Sequence, residues 1–326
     1  MSALRLNHYM LGVITAIAFA GCGGQVAPTG GAPQSLAPAM HGKSWTLPET
    51  PGEDLLYIAG GSDDVYVYSY PQLKEVGKLT GLGNINVEGL CVDSKGDVFV
   101  PGWTASASYI YEFSHGGTVP KATLNDPAPE AASCSVDPTT GNLAVASLQG
   151  VEIYQNAQGT PTAYVVPNLD PYWVAYDKDG DLFVDGYSEV STQPIAELVK
   201  GGSGFKDVTL NRKFPMFSLQ WNNGFLTIVS GTFRYRNVEY IYRVRMSGYS
   251  GAIVGTTTLK TRHLEYDGNG QVWIQGNRVM GAGPRHFSLA TWRYPSGGKV
   301  LKTIVRDFTP WGVVISVAPS EPRIHK

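Results

Sequence analysis

From residue 54 to residue 317 the chain is written in short apolar runs, many of which alternate apolar with polar positions. Alternation with a period of two sends successive side chains to opposite faces of a strand, whereas a helix would repeat its apolar positions at three and four residues. No convincing amphipathic helix lies between the runs. The 39 glycines are spread along the whole length, which suits many short strands joined by tight turns. The pattern predicts an all-β fold.

The runs also repeat. VEGLCVDSKGDVFV (87–100) recurs as SCSVDPTTGNLAVA (133–146), YWVAYDKDGDLFVDG (172–186), SLQWNNGFLTIV (218–229) and HLEYDGNGQVWIQG (263–276). Taking Asp93, Asp137, Asp177, Trp221 and Asp267 as equivalent, subtraction gives steps of 44, 40, 44 and 46 residues, which is the size of a propeller blade. Each unit reads as a first strand, a D-x-x-G-like turn, a second strand and two further strand-like runs. In such a turn the Asp accepts from the backbone amides after it, and the glycine supplies a positive φ. The D-K-D-G-D run at 177–181 is therefore read as a turn and not as a calcium loop, whose glycine would come at the sixth position.

The two ends set the count of repeats. DLLYIAGG (54–61) and DDVYVYSYP (63–71) read as second and third strands with no first strand before them, while PWGVVISVAP (310–319) reads as a first strand with nothing strand-like after it. Joining residues 311–317 to residues 54–80 completes the set. The expectation is a six-bladed β-propeller over 54–319, its first blade closed by the C-terminal strand, with 320–326 as a tail. The G-L-x-V-D-x-x-G-x-V-F-V pattern of 89–100 resembles NHL-type repeats, and the six-blade layout resembles the superfamily that includes gluconolactonase-like and strictosidine-synthase-like proteins. These motifs specify a fold and not a chemistry.

In a propeller the first strands line the central channel, and the loops entering them form a rim where ligands bind. Counting five residues back from each turn gives Glu88, Ala132, Tyr172, Met216, Arg262 and, on the sixth strand, Trp311. Two residues further out lie Asn86, Glu130, Asp170, Phe214, Lys260 and Thr309. The candidate ligand-binding residues are thus Glu88, Asn86, Glu130, Asp170, Tyr172, Arg262 and Trp311. Glu88, Glu130 and Asp170 are weak candidates for holding Ca²⁺, which prefers carboxylate and amide oxygens. The resemblance to gluconolactonase-like enzymes implies a channel-top divalent metal, and Glu88 in V-E-G-L resembles the position of its Glu ligand. Ala132, Tyr172 and Met216 stand where further polar ligands would be expected, and Arg262 would repel a cation. The expectation is that no cofactor is bound and that Glu88 pairs with Arg262 across the channel mouth.

The N-terminus reads as a targeting device. Arg5 precedes an apolar run at 10–20 that is too short to span a bilayer, and it ends in Phe19-Ala20-Gly21-Cys22. That ending resembles the lipobox of bacterial lipoproteins, which implies a signal peptide over 1–21 and a lipidated Cys22. Residues 22–53 are rich in Gly, Ala, Pro and Ser and read as a flexible tether. The location implied is the cell envelope, with the outer membrane favoured over the inner in a two-membrane cell.

Composition narrows the partners. Lysines and arginines total 25 against 27 acids, so no concentrated basic face for nucleic acid is expected. One local exception is FRYRNVEYIYRVRM (233–246), where Arg234, Arg236, Arg243 and Arg245 alternate with aromatics. It reads mainly as a solvated outer-strand face and secondarily as a surface for anionic groups. Cys91 and Cys134 lie at different offsets from their turns, which predicts diverging side chains and two buried free thiols. No H-E-x-x-H, G-x-S-x-G, phosphate-loop or C-x-x-C motif is present, and His115, His263 and His286 fall at unrelated repeat positions. The function expected is a monomeric, non-catalytic scaffold that binds a protein, glycan or small molecule at a rim. The alternative is a metal-dependent lactonase-like hydrolase or lyase.

Overall fold

The computed structural model describes residues 43–60, 63–188, 195–213, 218–230, 238–260, 270–282 and 287–319. The signal segment, Cys22, the tether to residue 42, Phe214, Met216, Arg234, Arg236, Arg262, His263, His286 and the tail lie outside them. Among the described residues, every regular element is a strand except two single-turn 3-10 segments, Thr50–Gly52 and Gln155–Ala157.

The strands pair mostly with their sequence neighbours. β1 (Trp45–Thr46), β2 (Asp54–Ala59), β3 (Val65–Tyr70) and β4 (Glu75–Leu79) form one sheet with the last strand, β26 (Gly312–Ser316), in the order β1-β4-β3-β2-β26. Three four-stranded sheets follow. They are β5 (Cys91–Val92) to β8 (Pro120–Asp126) with β6 (Val98–Trp103) and β7 (Ser108–Phe113) between; β9 (Ser133–Val136), β10 (Leu143–Ser147), β11 (Gly150–Tyr154) and β12 (Thr162–Tyr164); and β13 (Asp170–Tyr176), β14 (Leu182–Tyr187), β15 (Ile195–Leu198) and β16 (Lys206–Asp207). After the short β17 (Thr209–Leu210) come β18 (Leu219–Asn222), β19 (Phe225–Ser230), β20 (Val238–Met246) and β21 (Ser250–Lys260), and then β22 (Trp273–Gln275), β23 (Arg278–Ala282), β24 (Ser288–Arg293) and β25 (Gly297–Val305). A single parallel bridge, Leu259 to Gly298, links these last two sets.

Turn chemistry closes the first hairpins as the sequence predicts. Asp93 Oδ1 accepts from the amides of Lys95 (2.9 Å) and Asp97 (2.8 Å), and Asp177 Oδ1 accepts from those of Asp179 (2.8 Å) and Asp181 (2.9 Å). Where Trp221 interrupts the Asp pattern, Asn223 (φ 49°) and Gly224 (φ 80°) make a two-residue turn with both residues left-handed, which suits the twist of a hairpin.

Two boundaries differ from the sequence reading. Residues 271–276 were expected as a second strand after a turn at Asp267. Instead β22 is the edge strand of its sheet, and its hairpin to β23 turns at Gly276 and Asn277, between the paired Gln275 and Arg278. A two-residue turn needs no Asp, and Asp267 itself lies outside the described residues. The tether was expected to run to residue 53, yet Trp45 and Thr46 pair with Lys78 and Gly77 of β4, and the Thr46 hydroxyl donates to the Gly116 carbonyl at 3.0 Å. Sheet-bound chain therefore begins before residue 53, in a pairing too short to leave a periodic signal.

β26 pairs antiparallel with β2, with Tyr57 opposite Val314 and Ile58 opposite Val313. The edge strands also meet one another: β26 lies against β5, β5 against β9, β9 against β13, β13 against β18, β18 against β22, and β22 against β26. Apolar clusters fill the spaces between successive sheets. Tyr57, Val67 and Val314 pack on Val98 and Tyr111, Phe99 and Ile110 on Leu143 and Tyr154, and Ala144 and Val151 on Val174 and Val184. Phe183 packs with Leu226 and Val244, Ile241 with Trp292 and Val279, and Met280 and Leu289 with Ile58 and Val313.

Cys91 and Cys134 are joined in a disulfide with a Cα–Cα distance of 5.5 Å, contrary to the free thiols expected. The two cysteines face one another for a geometric reason. Neighbouring sheets meet front to back, so side chains that face each other across the gap come from opposite parities of the repeat. Cys91 is two residues before Asp93 and Cys134 three before Asp137, which is the offset that makes them face one another.

Candidate functional site

Polar side chains stitch the edge strands together. Each such strand has one side unpaired within its own sheet, and buried backbone groups there need partners. The Ser133 hydroxyl donates to the Tyr172 carbonyl at 2.7 Å, and the Tyr176 amide donates to the Ser135 hydroxyl at 3.0 Å. The Gln220 side chain spans the backbone of Ile274, accepting from its amide at 2.8 Å and donating to its carbonyl at 3.1 Å. Gln271, itself buried, does the most. Its Nε2 donates to the Leu90 carbonyl at 2.7 Å, while its Oε1 accepts from the amides of Leu90 at 3.0 Å and Val313 at 2.9 Å. Sequence reasoning missed Gln271 because the turn expected at Asp267 placed it in a second strand. The amide immediately before the apolar V-W-I run was the available signal.

This stitching fixes the ends of the strands that carry the predicted rim residues. Glu88 and Tyr172 stand at the same repeat position on sheets that are not neighbours, and the Tyr172 hydroxyl donates to Glu88 Oε2. Both are half-buried. The Tyr172 ring packs edge-on against Trp173 at 5.3 Å between centroids, so ring and backbone are both held. Glu88 thus has a defined neutral donor. The pairing expected with Arg262 falls outside the described residues.

Other predicted residues occupy the surroundings in different ways. Trp311 is half-buried, and its backbone links Ala59 (2.8 Å) to Gln271 (2.7 Å). Asn86 bridges to Trp103 through its backbone, by an amide donation of 2.7 Å and an acceptance of 3.1 Å, extending β6. Glu130 is exposed in left-handed backbone (φ 57°), and Asp170 is exposed at the start of β13 opposite Tyr187. Among the described residues, no three His, Cys, Asp or Glu side chains come together as a cation site.

Carboxyls are buried elsewhere. Asp126 and Glu152 face each other's sheets across the gap between β5–β8 and β9–β12, where the Ser147 hydroxyl donates to Glu152 at 2.7 Å and the Ala128 amide donates to Asp126 at 3.0 Å. Burial, with the Glu152 charge adding to it, pushes Asp126 up to about 7. Burial likewise raises Asp185 well above the carboxylate range and brings Glu239 up to about 7. His115, singled out as an isolated histidine, is a structural link: its Nδ1 lies 2.6 Å from the Ser316 hydroxyl and its Nε2 2.9 Å from the Glu53 carbonyl.

No family model and no curated protein matches the chain. Solved structures do. A chain described as "Crystal structure of Nidogen/Laminin Complex" superposes with a TM-score of 0.59 at 13% identity, covering 81% of this chain and 99% of that one. A protein of unknown function from Bacteroides caccae superposes with a TM-score of 0.56, again at 13% identity and with coverage of 81% and 99%. At such identity the likeness carries the architecture alone, and that architecture is a β-propeller.

Proposed function

We propose that this chain is an exported, lipid-anchored, six-bladed propeller that binds a ligand at the Glu88–Tyr172 rim without catalysing its conversion. Six apolar interfaces taken in order, with the last returning from Met280 and Leu289 to Val313, support six blades closed by the C-terminal strand. The Cys91–Cys134 disulfide supports export, because such bonds persist in oxidising compartments and are rare in the reducing cytosol. It also agrees with the signal segment and lipidated Cys22 read at the N-terminus, and with a place in the cell envelope.

The observation that carries the binding reading is the Tyr172–Glu88 hydrogen bond, which holds one carboxylate and one phenol at a mouth whose walls are cross-linked. A pre-organised pair of this kind offers an acceptor and an aromatic face to a polar ligand, a glycan or a peptide, at low ordering cost. A hydrolase of the gluconolactonase type would need further oxygen ligands around Glu88. Thermal melting separates the two: the binder reading expects no shift with Ca²⁺ or EDTA, and a glycan or peptide hit on arrays that Glu88→Ala abolishes. A stoichiometric metal lost in Glu88→Ala would replace this reading with the hydrolase.

A further inference from the structure

The end of the strands opposite Glu88 carries a second polar feature. Phe225 begins β19 just after the Asn222–Gly224 turn; β20 pairs Val244 with Leu226 and Arg243 with Thr227, so Arg243 and Arg245 lie on the sheet face that Phe225 shares. Both guanidiniums lie over the Phe225 ring, each 5.9 Å from its centre, so the two positive charges are less than twice that distance apart. Among the described residues no carboxylate lies within ion-pair distance of either, and the buried Nε of Arg243 has no acceptor. An N–H removed from water without a partner is costly, which makes the site incomplete as it stands.

The backbone makes room for this arrangement. Arg243 faces Gly255 across β20 and β21, and a Cβ at that position would lie 2.3 Å from Arg243 Nη2 and 2.8 Å from Cζ. Gly255 therefore lets the guanidinium lie flat against the neighbouring strand. Arg245 beside it is exposed, so the pair is open to solvent on one side. Burial pushes the nearby Tyr294 phenol up while the Arg243 charge opposes that shift, so this hydroxyl also lies in the field of the pair.

We infer that Arg243 and Arg245, seated on Phe225 and Gly255, form an oxyanion-binding site that takes the phosphate or carboxylate group of a ligand. A guanidinium presents its N–H donors in a planar fork that matches either group. The ring under both arginines is a rigid platform with little entropy to lose on binding.

Calorimetric titration of the full chain with inorganic phosphate and with succinate, at fixed ionic strength, tests this. Saturable binding of one of them is expected, and which one binds identifies the group. Arg245→Gln should weaken that binding by roughly tenfold, corresponding to loss of one charge-assisted contact. Gly255→Ala should weaken it similarly by displacing Arg243. Because Arg245 is exposed, Arg245→Gln keeps the fold intact even if Gly255→Ala does not. Absence of saturable binding by both anions, or binding equal in wild type and Arg245→Gln, overturns the assignment. Either result leaves the Glu88 rim untouched, since Glu88→Ala is read at the other end of the strands.

Discussion

Cys91 and Cys134 are 43 residues apart in sequence, so their bond closes a long loop in the unfolded chain. In the chain-entropy treatment a loop of this length is worth up to about 4 kcal/mol, and 2–4 is typical. Cys91→Ser should therefore lower the denaturation free energy by roughly 3 kcal/mol, seen as a reduced guanidinium midpoint with a slope that rises as the uncrosslinked denatured chain expands. A thiol count on the denatured chain gives an independent check: Cys91 and Cys134 should be unreactive before reduction and both reactive after it. Two reactive thiols in the untreated protein would remove the bond, and with it the strongest support for an oxidising compartment. At this scale the Glu88–Tyr172 pair matters in a different way. It is a contact between two residues 84 positions apart, and counting back five residues from two turns brought both to notice. What the count could not supply was that the phenol, rather than a cation, meets the carboxylate.

At the scale of strands, much was legible and the failures are instructive. Asp93, Asp137 and Asp177 announce hairpins because their side chains replace backbone partners at the turn, so the chemistry is local and readable. The turn at Gly276 and Asn277 was not readable, since a two-residue hairpin needs only permissive backbone and D-G-N-G nearby looked better. The pairing of Trp45 and Thr46 is too short to leave a periodic signal, and the disulfide is hidden because residues facing across two sheets take opposite parities of the repeat. Gln271 shows how strands are held to each other once formed. Gln271→Leu leaves the Leu90 amide, the Leu90 carbonyl and the Val313 amide without the side chain that serves them. At about 1–3 kcal/mol for each buried polar group left unserved, a loss of at least about 3 kcal/mol is expected. Gln271→Glu retains an acceptor for both amides and should fall between the two in thermal melting. Equal stability of Gln271→Leu and wild type would mean that these strands are held by packing alone.

Across the molecule, apolar gaps between sheets enclose carboxyls that have no cationic partner among the described residues. Asp126, Glu197 and Glu239 are each raised to about 7 by burial, and Asp185, deepest of all, lies well above its ordinary range. Neighbouring charges add to this for two of them, Glu152 for Asp126 and Asp181 with Asp177 for Glu197. A carboxyl whose folded value is raised binds its proton more tightly in the folded state than in the unfolded one. Its cost to stability is therefore absent below the unfolded value near about 4, grows as pH rises, and is complete above about 7. Within that window each such group changes stability by about 1.4 kcal/mol per pH unit. Two terms oppose this: burial holds His115 below its usual range, so its cost enters as pH falls below about 6.5, and lower down hydrogen bonds from Thr140 and Thr139 outweigh burial and hold Asp137 below its usual range, so its contribution fades only as pH falls through that lowered value. The expected profile is a melting temperature that climbs by several degrees from pH 8 to pH 5 and turns down only in stronger acid, the reverse of the common loss of carboxylate pairing. Asp185→Asn, which keeps shape and removes the titration, should raise stability at pH 8 and do little at pH 5. Calorimetric melts showing a flat profile, or one that falls between pH 8 and pH 5, would mean that these carboxyls meet water or a cation that their burial conceals.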